Sequence, residues 1–195
     1  MSQFSFVFFQ KTYIAFKVLE QPKFYTKPNM TIAEFDHLEK EQKKTLLTQC
    51  CGSSTWVHKM LAQPAFEDLF DLEETAEKVW WECTTLDWLE AFTHHPKIGD
   101  ISSLKKKFID TAAWASNEQS GVNNANETII ANLAKGNEDY ENKFGFIFIV
   151  CATGKSAEEM LNILQSRLPN TLEEEIQIAA DEQMKITKLR LEKLF

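Results

Sequence analysis

Thr171-Leu-Glu-Glu-Glu-Ile-Gln-Ile-Ala-Ala-Asp-Glu-Gln-Met-Lys-Ile-Thr-Lys-Leu-Arg-Leu191 sets the fold class. It opens on a capping box, in which the Thr171 hydroxyl accepts from a free amide of the first turn while Glu174 reaches back to the Thr171 amide. Leu172, Ile176, Ala179, Gln183, Ile186 and Leu189 then recur at helical spacing. The same device starts two more helices, at Thr31-Ile-Ala-Glu34 and Ser156-Ala-Glu-Glu159. An interrupted apolar stripe of Ile32, Phe35, Leu38, Leu46 and Leu47 follows the first of these. Asp71-Leu-Glu-Glu74 predicts a helix through Val79, Trp80 and Trp81. Another is expected from Thr85, with Leu86, Leu89 and Phe92 on one face. It stops near His95, because Pro96 disfavours helical geometry in the residue before it. Two further helices are expected over 104–114 and 125–135, the second ended by Gly136.

Working outward, one segment breaks this pattern. Phe144-Gly-Phe-Ile-Phe-Ile-Val-Cys-Ala152 is aromatic and β-branched without a charge, and Gly154 closes it. Propensity makes it extended and buried. A lone extended stretch among helices has no sheet to join, so its amides and carbonyls must find flanking helices or a ligand. The expected architecture is therefore all-α, a single-domain helical bundle with one extended buried segment at about 144–152.

Composition agrees with a single packed domain. The 195 residues carry 29 acidic and 21 basic side chains, a net charge of −8. That balance excludes a general nucleic-acid binder, which needs a basic face. No apolar run approaches the roughly 18 residues of a membrane-spanning helix. Cys50, Cys51, Cys83 and Cys151 are too few and scattered for a disulfide framework and read as reduced thiols of an intracellular protein. Residues 1–30 stand apart. They hold four lysines against Glu20 and are rich in Phe and Tyr, leaving −11 on the remainder. They read either as a targeting segment or as an N-terminal extension docked on the domain formed by residues 31–195. They lack the apolar core of a secretory signal.

The chain has no nucleophile elbow, phosphate loop or dinucleotide fingerprint, and no metal-ligand spacing. Any catalysis would rest on ordinary acid–base groups. His94-His95-Pro-Lys-Ile-Gly99-Asp100 places an imidazole at a helix end, where its near-neutral pKa suits proton transfer. The same residues also read as a helix-stop turn with solvated histidines. Trp114-Ala-Ser-Asn-Glu118-Gln119-Ser-Gly121 could present an acid and an amide at a pocket rim, or simply cap a helix through Ser116 or Asn117. Arg167, near a helix C-terminus, could clamp a carboxylate, complement the helix dipole or pair with an acidic neighbour.

Taken in order, His95-Pro-Lys-Ile-Gly99, Glu118-Gln119, Asn137-x-x-Tyr140-x-x-Lys143-Phe-Gly-Phe146, Arg167-Leu-x-Asn170 and Gln183-Met-Lys-Ile-Thr-Lys-Leu-Arg190-Leu carry a resemblance. The chain resembles the 2-oxo-4-hydroxy-4-carboxy-5-ureidoimidazoline (OHCU) decarboxylase family over residues 31–195. It is most similar to the plant branch, in which the decarboxylase is joined to a transthyretin-like hydroxyisourate hydrolase domain. The resemblance implies a cofactor-free, metal-free carboxy-lyase of uric acid degradation, usually a homodimer, acting on a small ureide. The hydrolase would be a pathway partner. Such a substrate needs no cofactor as an electron sink, because the departing carboxylate lies next to a ring C=N. The resemblance makes His95 and Glu118 catalytic. It makes Pro96, Ala115, Ser116, Asn117 and Gln119 substrate-binding, together with Phe148, Ile149, Val150, Cys151 and Ala152 through their backbone. Arg167 is assigned to anion binding.

Ala115 departs from the family, which often carries serine three residues before the glutamate. Ser116 is a poor replacement, since one residue turns a helix by about 100°. The expected effect is a substrate complex weakened by about 1 kcal/mol. Relatives are often peroxisomal, whereas this sequence ends Lys193-Leu194-Phe195, so peroxisome and cytoplasm both fit. Two rival readings are a non-catalytic helical module of the receptor-kinase-binding type and a different cofactor-independent decarboxylase or tautomerase.

Overall fold

The computed structural model describes residues 30–95 and 119–195, with side chains of the second stretch from Glu127 onward. The described residues contain eight helices and no strand: α1 (Ile32–Asp36), α2 (Lys40–Cys50), α3 (Ser54–Leu61), α4 (Leu69–Trp81), α5 (Thr85–Thr93), α6 (Gln119–Phe144), α7 (Ala157–Arg167) and α8 (Leu172–Glu192). The all-α reading holds. The three capping boxes read from the sequence all form, at Thr31–Glu34, Ser156–Glu159 and Thr171–Glu174.

The long C-terminal helix is the hub. α2, α4 and α5 each pack on α8, which buries Ile176, Ala179, Ala180, Met184 and Leu191. Three buried tryptophans fasten the surrounding helices. The indole N–H of Trp56 donates to the Ala76 carbonyl at 2.9 Å, that of Trp80 to Ala180 at 3.0 Å, and that of Trp88 to Trp80 at 3.1 Å. Each large ring thus fills the core with its one polar atom satisfied. α6 and α7 form a second close pair.

Several elements differ from the sequence reading, each for a physical reason. The reading places no helix at α3, yet Ser53 caps it and Trp56, Val57 and Met60 bury its inner face. α4 starts earlier, because Asp68 rather than Asp71 accepts from the first-turn amide. On α5 the buried residues are Trp88, Ala91 and Phe92, while Leu86 is 77% exposed. Gly136 does not end a helix; α6 runs through it to Phe144. The glycine is there for clearance, since a Cβ would sit 2.6 Å from Leu164 Cδ2 on α7. Gly145 is the true stop, taking φ +78 and donating its N–H to the Glu141 carbonyl at 2.8 Å. The helix expected over 104–114 and residues 1–29 lie outside the described residues. Among those described, no helix is long and apolar enough to cross a membrane.

Gly136→Ala sets a helix-propensity gain of about 1 kcal/mol against overpacking of about 1–3 kcal/mol. Leu164 is fully buried and has nowhere to retreat. Urea unfolding is expected to show a net loss of stability; a gain would mean that α6 and α7 are not packed so closely.

Candidate active site

Beyond Gly145 the chain runs without regular structure through Ala152, as the charge-free composition implies. Its aromatic side chains turn inward. Tyr140 on α6 makes edge-to-face contacts with Phe146 at 5.7 Å and Phe148 at 5.2 Å, and Phe146 lies 5.4 Å from Phe92 on α5. The backbone is held by side chains in place of neighbouring strands. Arg167 Nη1 donates to the Ile149 carbonyl at 2.8 Å, the Cys151 N–H donates to Glu182 Oε2 at 2.7 Å, and Lys155 Nζ donates to the Cys151 carbonyl at 2.7 Å. No described residue pairs with the backbone groups of Val150.

Behind the segment lies a buried polar cluster. Arg167 Nε and Nη2 reach Glu175 Oε1 at 2.7 and 2.5 Å, and both residues are almost fully buried. The Tyr140 hydroxyl donates to the same carboxylate, and Asn170 Nδ2 donates to its other oxygen at 2.7 Å. Burial, reinforced by the carboxylate, pushes the Tyr140 hydroxyl well above its ordinary pKa. Lys143 Nζ closes the cluster from outside by donating to the carbonyls of Leu168 and Asn170 at 2.5 and 2.8 Å. Arg167, read from the sequence as an anion-binding group, therefore spends these donors inside the protein. The pairing with an acidic neighbour is the alternative that the structure shows.

His95 lies just beyond α5. His94 ends that helix, and its ring lies against the backbone of Gly52, where a Cβ would come within 2.5 Å of His94 Cγ. Only glycine fits there. His95 is half-buried, and its Nε2 lies 2.6 Å from Oε1 of the fully buried Gln183. Burial holds the imidazole below its ordinary pKa, and the charges of Arg190 and His94 act in the same direction against the opposing Gln183 bond. Glu182 and Gln183 are thus consecutive residues of α8 that hold the Cys151 amide and the His95 ring respectively. Burial pushes the Glu182 carboxyl up, but Lys185 and the Cys151 N–H outweigh it and keep the carboxyl below the usual range.

Arg190, two turns after Gln183, was not assigned a role from the sequence. Its Nη1 donates to the Gln49 and Cys50 carbonyls at the end of α2, at 3.3 and 3.2 Å. Its charge acts on His95. The signal was present as the i, i+4, i+7 spacing of Gln183, Thr187 and Arg190, which places all three along one face of a helix. Of the other sequence-derived site residues, Gln119 is the first residue of α6. Pro96, Ala115, Ser116, Asn117 and Glu118 lie outside the described residues. The thiols nearby are poor nucleophiles, since burial pushes Cys50 and Cys51 up to about 12.

An all-helical domain thus holds a half-buried imidazole close to a buried, irregular run of backbone, both fastened to α8. The chain belongs to the OHCU decarboxylase family, whose model matches residues 36–192. It is 38% identical over 147 residues to the uric acid degradation bifunctional protein TTL of Arabidopsis thaliana, covering 75% of this chain and 45% of that protein. The chain thus spans less than half the length of that relative. It is 22% identical over 166 residues to the OHCU decarboxylase of Halalkalicoccus jeotgali, covering 85% of this chain and 92% of that one. A crystal structure of OHCU decarboxylase in the presence of (S)-allantoin superposes with a TM-score of 0.61 at 38% identity, over 81% of this chain and 99% of that chain.

Arg167→Met is expected to cost about 3–5 kcal/mol, because it strands the buried Glu175 carboxylate. Replacing both residues, Arg167→Met with Glu175→Leu, should recover part of that loss. Chemical denaturation of the two variants checks the sign: a double variant less stable than the single one would contradict it.

Proposed function

We propose that this chain is a cofactor-free OHCU decarboxylase, converting its substrate to (S)-allantoin and carbon dioxide. The observation that carries the reading is the joint hold of α8 on His95 and on the Cys151 amide. Consecutive residues of α8 hold a candidate proton-transfer group and the extended segment. In the reaction the base takes the proton of the 4-hydroxyl and the C–CO2 bond breaks. The released pair forms a double bond to the ureido carbon while the C=N pair moves onto the ring nitrogen, which takes a proton. The 4-oxygen then becomes a carbonyl as a second proton arrives at the ureido carbon. His95 is the base. Its depressed pKa keeps it neutral and able to accept at neutral pH.

Glu118 is the partner that returns a proton to one face. Pro96, Gln119 and the residues before Glu118 line the substrate. The backbone groups at Val150, which pair with no described residue, offer hydrogen bonds to the ureide. Arg190, beside His95, takes the carboxylate, while Arg167 supports the segment from behind. Residues 31–195 form the decarboxylase domain and residues 1–30 an extension. We read the enzyme as a homodimer of the peroxisome or cytoplasm that works after hydroxyisourate hydrolase. Sedimentation velocity tests the first point, and localisation with and without residues 1–30 the second.

The test is stereospecific turnover. OHCU is generated in place from urate with urate oxidase and hydroxyisourate hydrolase, and allantoin is followed by circular dichroism. Rapid formation of one enantiomer that disappears in His95→Asn is expected; a rate no greater than spontaneous racemic decay in folded protein would sink the reading. The acid limb of kcat/KM should fall below the ordinary imidazole value of 6.5, since protonation removes the base and burial disfavours the protonated form. A limb at or above 6.5 would argue against His95 as that base. Ala115→Ser is expected to lower KM about fivefold, the equivalent of one neutral hydrogen bond, with kcat little changed.

A further inference from the structure

Histidine can serve as a base only at the nitrogen that lacks a proton, and the group bonded to its other nitrogen decides which one that is. His95 Nε2 faces the Gln183 amide at 2.6 Å, and Nδ1 has no partner among the described residues. An amide has an accepting end and a donating end, so its orientation is decisive. Thr187 supplies it. The Thr187 hydroxyl lies 3.0 Å from the Gln183 backbone carbonyl, which can only accept, so the hydroxyl proton is directed there. Toward the Gln183 side chain the same oxygen is then an acceptor, and it receives the amide N–H at 3.2 Å. Flipping the amide would set two oxygens against each other with that proton already committed. Gln183 is fully buried and Thr187 is 1% exposed, so water does not readily supply a substitute. The Gln183 oxygen must therefore face His95, and an oxygen that only accepts requires a proton on Nε2.

We propose that Gln183, oriented by Thr187, is a positioning residue that fixes His95 as the Nε2–H tautomer and leaves Nδ1 to take the substrate's proton. This rests on the reading of His95 as the catalytic base. The sequence is consistent with the device, since Gln183 and Thr187 are one turn apart on α8. Among the described residues, the charged and titratable groups acting on His95 are Arg190 of α8 and His94 beside it. Cys51 lies against Thr187 and stays a neutral thiol.

The first experiment is nitrogen NMR of wild-type protein labelled at histidine, with His95 assigned through His95→Asn. A protonated Nε2 and an unprotonated Nδ1 at pH 7.5 are expected; the opposite tautomer, or an even mixture, would overturn the proposal whether or not any variant folds. The second is kinetic. Gln183→Leu should lower kcat by at least about tenfold, toward the 10²–10⁴-fold that a positioned acid–base group supplies, with KM little changed. Its acid limb should move to lower pH, because the imidazolium has lost an acceptor. Gln183→Glu keeps an oxygen on Nε2 and should recover much of kcat, with the limb moved to higher pH. A folded Gln183→Leu protein with wild-type kcat and pH profile would defeat the proposal while turnover still depended on His95. Loss of that dependence in His95→Asn would instead defeat the functional reading beneath it.

Discussion

The ion pair between Arg167 and Glu175 is the constraint on which the rest depends. An extended stretch without a sheet must have its carbonyls and amides satisfied some other way. Arg167 does so for Ile149 from a position where water has almost no access. A buried guanidinium is tolerated only beside a counter-charge with its remaining donors used. Glu175 supplies the charge, and Tyr140 and Asn170 fill the carboxylate's other positions. Three helices and the loop between two of them converge on that one carboxylate. Removing any member strands the others, so the cluster behaves as a unit.

This also explains why the chain resembles its family where it does. Tyr140, Lys143, Arg167 and Asn170, four of the positions that carry the resemblance, are occupied in shaping the segment. His95 and Glu118 carry the chemistry proposed. A motif comparison ranks such residues together, because a backbone held to a fraction of an ångström is as necessary as the group that moves the proton.

Much of the fold was legible because its signals are local. A hydroxyl followed three residues later by glutamate marks a helix start whatever surrounds it, and Thr31, Ser156 and Thr171 all do so. The charge-free run at 144–152 likewise announced burial. What escaped depends on partners distant in sequence. Gly136 looks like a stop until Leu164 is known to lie above it, and Leu86 looks buried until Trp88 and Phe92 occupy the inner face. In the site, His95 could be singled out from a helix end and a proline. Gln183 looked like one more position on a stripe. Arg167 could be read as a ligand clamp, a dipole partner or half of an ion pair, because its acidic partner is eight residues away, across a turn that the spacing does not resolve.

The position of α8 at the centre of the bundle has a mechanical consequence. Glu182 and Gln183 are neighbours in sequence and so project about 100° apart from one axis. One grips the extended segment, and the other grips the imidazole. Any roll of that helix displaces both grips at once along different directions, changing the gap between them. The precision of the site is therefore the torsional stiffness of a single rod. That stiffness is set along its length, by Trp80 bonded to Ala180 at mid-helix and by Arg190 bonded to the end of α2.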